Sequence, residues 1–295
     1  MADAFLDYDV VDVFAREPFA GNQLAVVHGA GDLPDDALLA LAREFNFSET
    51  TFPTPVDAGR YRSRIFTPGG EIPFAGHPTL GTAWVLRQRG ALTADEVVQV
   101  CAAGEIGVRI DDARVELSAP PGDLAGPIGD GFVAQLLDAV GLALEDCDGE
   151  TWLAGTGLTF VHLPVHDDAI ARARPGRRPV REVADLPETR DPLEGLNLYA
   201  VRDRDGDLLD VHSRVFVPGL VPEDAATGSA AAGLGLALHA RSLLDAGQVY
   251  RISQGAEMGR PSELEGRIDA DGSGVTTVHV AGAVHPIARG QIRLP

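Results

Sequence analysis

Apolar and polar positions alternate over residues 9–14, 23–28, 61–66, 97–102, 105–110 and 115–118, with β-branched side chains at many of the apolar sites. A period of two with such residues predicts strands. Residues 34–43, opening after Asp32, and residues 131–140 repeat their apolar positions at helical spacing. A helix is expected from Pro78 through Leu80, Ala83, Trp84 and Leu86 to Gly90, since proline suits a first helical position and glycine a stop. A further helix is expected from Ser229, read as its N-cap, through Leu234, Leu236 and Leu238. Both are rich in Gly and Ala, which lets a helix pack tightly inside a curved sheet. Residues 283–294 read as a strand returning to the first half of the chain, and residues 172–191 as a surface excursion rich in Pro, Arg and acidic residues.

The pattern is written twice. Ser63-Arg64-Ile65-Phe66-Thr67-Pro68-Gly69 is answered by Ser213-Arg214-Val215-Phe216-Val217-Pro218-Gly219, and Gly76-His77-Pro78-Thr79-Leu80-Gly81 by Gly228-Ser229-Ala230-Ala231-Ala232-Gly233. Weaker echoes pair Leu24-Ala25-Val26-Val27 with Leu158-Thr159-Phe160-Val161, and Asn46-Phe47-Ser48-Glu49 with Asn197-Leu198-Tyr199-Ala200. A repeat of half the chain is too long for a solenoid and implies two pseudo-symmetric α+β lobes facing one another. The Pro120-Pro121-Gly122 break separates residues 1–120, completed by 283–295, from residues 121–282.

The chain has 295 residues, a formal charge of −20 and no lysine. That charge repels nucleic acid and anionic membrane surfaces, and the missing lysine removes Schiff-base and Walker-type phosphate chemistry. Cys101 and Cys147 make neither a disulfide framework nor a metal cluster, and read as small core residues. His162 and His166, separated by Leu-Pro-Val, do not form a helical metal pair, so no metal and no cofactor are expected. The N-terminal sequence has no signal-peptide pattern and no stretch reads as a membrane span, which places the protein in the cytoplasm. An anionic substrate needs a local positive potential. The glycines opening the two Gly/Ala-rich helices provide one, because first-turn amide N–H groups can hold a carboxylate.

Few polar groups lie at these junctions: Ser48, Glu49, His77, Glu223 and Asp224. Glu49 sits among Phe45, Phe47 and Phe52, where desolvation would raise its pKa toward the working pH of a proton-transfer catalyst, with Asp224 pushing the same way. His77 can orient a polar group or share a proton. Ser229 lacks the Gly-x-Ser-x-Gly surroundings of a nucleophile.

At these residues the chain resembles the PhzF family of the diaminopimelate-epimerase-like superfamily. The resemblance rests on Asp12-Val13-Phe14 with Pro18-Phe19-Ala20-Gly21-Asn22-Gln23, on Phe47-Ser48-Glu49-Thr50-Thr51-Phe52, on Phe66-Thr67-Pro68 with Ala75-Gly76-His77-Pro78-Thr79, on Glu223-Asp224-Ala225-Ala226-Thr227-Gly228-Ser229-Ala230, and on Gln254-Gly255 with Gly259-Arg260-Pro261-Ser262. It implies an α+β fold of two lobes, each a curved mixed sheet around a central helix, with the active site between them and a homodimer. It further implies Glu49 as general acid/base, His77 and Asp224 as assisting residues, and Ser48, Gly76, Gly228 and Ser229 as substrate-binding positions. The two-thiol racemases of the superfamily place cysteines where this chain has Ala75 and Ala225 or Ala226, so that chemistry is excluded by residue type. The expected activity is a cofactor-free isomerisation, an allylic proton shift on a small carboxylate-bearing metabolite. A lyase or hydrolase using the same site, and a non-catalytic binding module, remain open alternatives.

Overall fold

The two Gly/Ala-rich segments form helices with almost no exposed face. In the computed structural model, which describes residues 5–111, 114–174, 182, 189–191, 193–205, 208–217 and 223–295, Gly76 to Ala83 and Gly228 to Leu238 are buried without interruption. A helix apolar on all sides must be enclosed. Glycine permits the close approach: a Cβ on Gly81 would lie 2.6 Å from Leu24 and one on Gly235 2.5 Å from the Tyr250 hydroxyl.

The chain divides into two compact units, Met1–Ser118 with Ala281–Pro295, and Ala119–Val280. The first holds strands β1 (Phe5–Val13) and β2 (Asn22–Val27), helix α1 (Asp35–Phe45), strands β3 (Glu49–Asp57), β4 (Arg60–Thr67) and β5 (Gly70–Ile72), helix α2 (Gly76–Gln88), and strands β6 (Glu96–Cys101), β7 (Gly104–Ile110) and β8 (Val115–Ala119). The last strand of the chain, Val284–Arg293, pairs antiparallel with β1. Pairing is mixed: β2 runs parallel to β3 and β4 parallel to β6, while β1–β2, β3–β4 and β6–β7 are antiparallel. α2 packs against β1, β2, β3, β6, β7 and the last strand. α1 seats Leu38, Leu41 and Ala42 on Val27, Phe52 and Phe66.

The second unit holds β9 (Leu124–Ala125), α3 (Asp130–Ala139), β10 (Trp152–Gly155), β11 (Thr159–Pro164), α4 (Asp167–Ile170), β12 (Leu193–Asp205), β13 (Leu208–Phe216), β14 (Glu223–Asp224), α5 (Gly228–Ala240), β15 (Val249–Gln254), β16 (Ser262–Asp271) and β17 (Gly274–Gly282). Its pairing repeats the first: β11 parallel to β12, β13 parallel to β15, and β12–β13 and β15–β16 antiparallel. α5 packs on β10, β11 and β16, and α3 and α4 close a core around Leu136, Leu153, Leu163 and Leu198. The mixed sheets with few helices make the chain α+β.

Strand register corrects the weaker sequence echoes. Thr50 pairs with Phe66 and Leu196 with Phe216, so matching Phe66 to Phe216 makes Gly195 the counterpart of Glu49. Leu24 pairs with Glu49 and Phe160 with Gly195, so Leu24 corresponds to Phe160 and not to Leu158. Helix starts also differ from expectation: α2 begins at Gly76 behind Ala75, and α5 at Gly228 behind Thr227. Ser229 is therefore inside the first turn and is not an N-cap, and Pro78 occupies the third helical position. α1 runs Asp35–Phe45 behind Pro34, against the expected 34–43. β3 escaped the alternation reading because Pro53 and Pro55 interrupt it. Cys101 and Cys147 are free and only partly buried, Cys147 packing against the edge of the second unit's core. Most of residues 172–191, and the Pro218-Gly219 turn, lie outside the described residues. Among the described residues no helix is long and apolar enough to cross a membrane.

Candidate active site

Three element starts meet in the first unit. Asn22 opens β2, Glu49 opens β3 and His77 is the second residue of α2. The parallel β2–β3 register sets Glu49 beside Leu24, two positions along from Asn22. Glu49 Oε2 lies 3.5 Å from His77 Nε2. The Asn22 amide donates from Nδ2 to His77 Nδ1 at 3.4 Å, and Ser48 Oγ donates to Asn22 Oδ1 at 3.1 Å. Ser48, Asn22, His77 and Glu49 thus form one polar group.

The Glu49 side chain is 17% exposed, yet its Oε2 is itself buried and has no hydrogen-bond partner. Burial penalises the carboxylate and raises the Glu49 pKa to about 7. The expected aromatic shell is looser than the sequence implies. Phe52 turns into the α1 core, edge-on to Phe66 with ring centres 5.6 Å apart, and Phe45 stacks edge-on against Tyr8.

α2 is anchored at this end. Thr79 Oγ1 donates to Ala75 O at 2.8 Å, Gln99 Nε2 donates to Thr79 Oγ1 at 2.8 Å, and Tyr61 donates to Thr79 O at 3.2 Å. The helix start is thereby fixed relative to β4 and β6. Its first turn carries amide donors at Gly76 and His77 but none at Pro78.

Asp224, Gly228 and Ser229 belong to the second unit and have their own hydrogen-bonded setting. Thr227 Oγ1 donates to Asp224 Oδ2 at 2.7 Å, while Gln254 Nε2 donates both to Thr227 Oγ1 at 3.0 Å and to Asp224 O at 2.8 Å. Gln254 Oε1 accepts from Thr227 N at 3.4 Å. Gln254 thus clamps the turn between β14 and α5, and its gift of a hydrogen to Thr227 leaves the threonine hydroxyl proton for Asp224. Gly255, at φ +78°, permits the clamp, since a Cβ there would lie 2.5 Å from Ala225 O. Gly228, Ser229 and Ala230 open α5 with three amide donors.

Glu223, one of the polar candidates, is committed elsewhere. Arg214 holds it through Nε and Nη2, both at 2.8 Å, and both residues are buried. His162 is also structural: it lies on β11, its Nε2 donates to Ala154 O at 3.2 Å, and Asn197 donates to its Nδ1 at 3.0 Å. Full burial lowers its pKa to about 3, so it stays neutral.

The repeat places different residues at equivalent positions. Glu49 corresponds to Gly195, where a Cβ would meet Phe216 O at 2.4 Å, and His77 corresponds to Ser229. Asp224 corresponds to Ile72, since Glu71 pairs with Phe66 as Glu223 does with Phe216. Ala75 corresponds to Thr227, which moves the second racemase position away from Ala225 and Ala226. No titratable group recurs, and a symmetric two-base arrangement is absent at these positions. Asn22, Thr227 and Gln254 lie within the family motifs, but the sequence alone assigned them no role. Asn22 and Gln254 each adjoin a glycine with positive φ, Gly21 and Gly255.

Residues 11–290 match the family of phenazine biosynthesis-like proteins (PhzC-PhzF). The chain is 35% identical to the trans-2,3-dihydro-3-hydroxyanthranilate isomerase of Pseudomonas fluorescens, across 98% of this chain and 99% of that protein. It is 32% identical to an uncharacterized isomerase of Mesorhizobium japonicum, across 97% and 98% of the two chains. Among solved structures, a predicted epimerase from Pseudomonas aeruginosa has a TM-score of 0.80 at 31% identity, covering 97% of this chain and 99% of its own. A PhzF-family protein of Bacillus anthracis has a TM-score of 0.85 at 21% identity, covering 98% and 99%, and shares the fold.

Proposed function

The chain belongs to the phenazine biosynthesis-like (PhzC-PhzF) family and is an isomerase, and we propose that it moves a proton between two carbons of a small carboxylate-bearing metabolite with Glu49 as its acid/base group. One observation carries this reading: a carboxyl oxygen that is buried, without a hydrogen-bond partner, facing His77 Nε2, on a group whose pKa lies at about 7. Such a group is poised both to take and to return a proton near neutral pH. A single group that collects a proton at one carbon and delivers it to another, on the same face of the substrate, performs an isomerisation without a second base. The absence of a titratable counterpart at Gly195 supports one base rather than two.

In this reading His77 positions and polarises the Glu49 carboxyl, and Asp224 assists from its Thr227–Gln254 setting. The family resemblance implies Ser48, Gly76, Gly228 and Ser229 as substrate-binding positions; helix N-termini suit a carboxylate on a chain of charge −20 that has no lysine. Family likeness also implies a homodimer, checked by light scattering against the 31.0 kDa chain. The relatives' trans-2,3-dihydro-3-hydroxyanthranilate is the first substrate to try. In D₂O, mass spectrometry and proton NMR are expected to find a product isomeric with the substrate, its moved hydrogen partly replaced by deuterium. A product that has gained or lost water would mean a hydrolase or lyase and overturn the isomerase mechanism.

A further inference from the structure

Asn22 sits at the end of an unusually constrained loop. Between β1 and β2, Phe14 and Phe19 adopt φ of 60° and 71°, and Gly21 adopts 69°. Left-handed backbone at bulky residues costs of order 1–3 kcal/mol each, and persists only where the surroundings over-determine it. Here Phe19 N donates at 2.8 Å to Oδ2 of Asp12, a residue that is almost fully buried, and Phe14 N donates to Ala283 O at 2.8 Å. A Cβ on Gly21 would lie 2.4 Å from Val13 O, so only glycine lets the chain turn back this tightly. The outcome of this construction is that Asn22, a buried residue, faces Val13 across the β1–β2 ladder with its amide beside His77.

We propose that Asn22 is the positioning residue of the site: its amide donates to His77 Nδ1, which fixes the imidazole as the tautomer carrying its proton on Nε2, and so aims an N–H at Glu49 Oε2. Ser48 sets the orientation of the Asn22 amide. A serine hydroxyl giving its proton to Asn22 Oδ1 makes that atom the amide oxygen, which turns Nδ2, with its two hydrogens, toward the ring. A ring nitrogen that accepts is unprotonated, so the neutral imidazole carries its hydrogen on the other nitrogen. That nitrogen is the one 3.5 Å from the buried carboxyl oxygen. The contact to His77 is long, at 3.4 Å, and substrate closure would tighten it rather than create it. The second repeat uses the same device for a structural end: Asn197 donates to His162 Nδ1, and His162 Nε2 then donates to Ala154 O. The catalytic significance of Asn22 rests on the isomerase reading above, whereas the tautomer it sets is a property of the free protein.

The test is nitrogen NMR of histidine-¹⁵N-labelled protein without substrate, His77 being identified by the signals missing from His77→Gln. The expected spectrum has His77 Nε2 protonated and Nδ1 unprotonated. Asn22→Asp keeps the shape of the side chain but replaces the donor by an acceptor, and is expected to bring a proton to Nδ1. Thermal melts establish that the variant is folded. Asn22→Leu, should the aspartate variant fail to fold, is expected to yield a mixture of tautomers. A proton on Nδ1 in the unaltered protein, or an unchanged tautomer in both folded variants, overturns the assignment. In turnover, Asn22→Asp is expected to lower kcat by about tenfold or more with KM moving less than about twofold, since the group acts through His77 and not on the substrate. A residue that only shaped the loop would leave the tautomer where it was.

Discussion

Glu49 Oε2 and His77 Nε2 stand 3.5 Å apart, and the second repeat has Gly195 and Ser229 at the positions of these two residues. The duplicated scaffold thus carries this carboxyl–imidazole pair in the first repeat and not at the equivalent positions of the second. In the second, the backbone carbonyl of Phe216 fills the space that a side chain on residue 195 would need.

Replacing Glu49 by Gln keeps size and removes the titrating proton. Turnover is expected to fall by about 10² to 10⁴, the span of a general acid/base group, while ligand affinity changes little. The two are measured side by side in the same variant, by steady-state kinetics and calorimetry. Native turnover in a variant that binds normally would end the role assigned to Glu49.

The same substitution reports on stability. The Glu49 pKa is raised from 4.5 to about 7 in the folded chain, so folding binds a proton more tightly and stability is lost as pH rises through this window. Gln does not titrate. Glu49→Gln is therefore expected to gain on the parent by about 3 kcal/mol between pH 4 and pH 8. Urea unfolding at both pH values checks this, and a constant difference would mean that the carboxyl is not desolvated.

For catalysis the pH profile should carry a limb at about 7, the pKa of Glu49. If the ionised carboxylate begins the reaction, kcat/KM falls about tenfold per pH unit below that value. A profile flat from pH 5 to pH 8 contradicts it.

Equivalent ion pairs in the two repeats should differ in worth. Arg64 and Glu71 are 28% and 36% exposed, Arg214 and Glu223 only 4% and 9%. Arg214→Leu strands a buried carboxylate and is expected to cost about 3–5 kcal/mol, whereas Arg64→Leu is expected to cost about 0–1 kcal/mol. Denaturant unfolding of the two variants decides, and equal losses would refute the distinction.

Two glycines offer a test of packing. A Cβ on Gly233 would meet Ala154 O and His162 Nε2, each at 2.7 Å, so Gly233→Ala should destabilise by about 1–3 kcal/mol. Gly131, on α3, has open space around it, and Gly131→Ala should stabilise by about 0.5–1 kcal/mol. Opposite signs in thermal melts are the expected result.

The repeat of Ser63–Gly69 in Ser213–Gly219, the small residues of the two enclosed helices, and Glu49 and His77 as candidate chemistry were all legible along the chain, because each is a local pattern of residue types. What the chain could not reveal is set by pairings between distant segments. The β3–β4 and β12–β13 registers moved the counterpart of Glu49 from Ala200 to Gly195, and two prolines had hidden β3 from any reading of alternation. Glu223 and Asp224 are adjacent and alike in sequence, yet successive residues of a strand point to opposite faces, so one meets Arg214 and the other Thr227. Asn22 gains its meaning only when the Gly21 turn and the parallel β2–β3 pairing bring it beside a histidine 55 residues away. Residue type determines what chemistry is available; hydrogen-bond direction, and with it the position of a proton, is decided by which atoms the tertiary fold sets face to face.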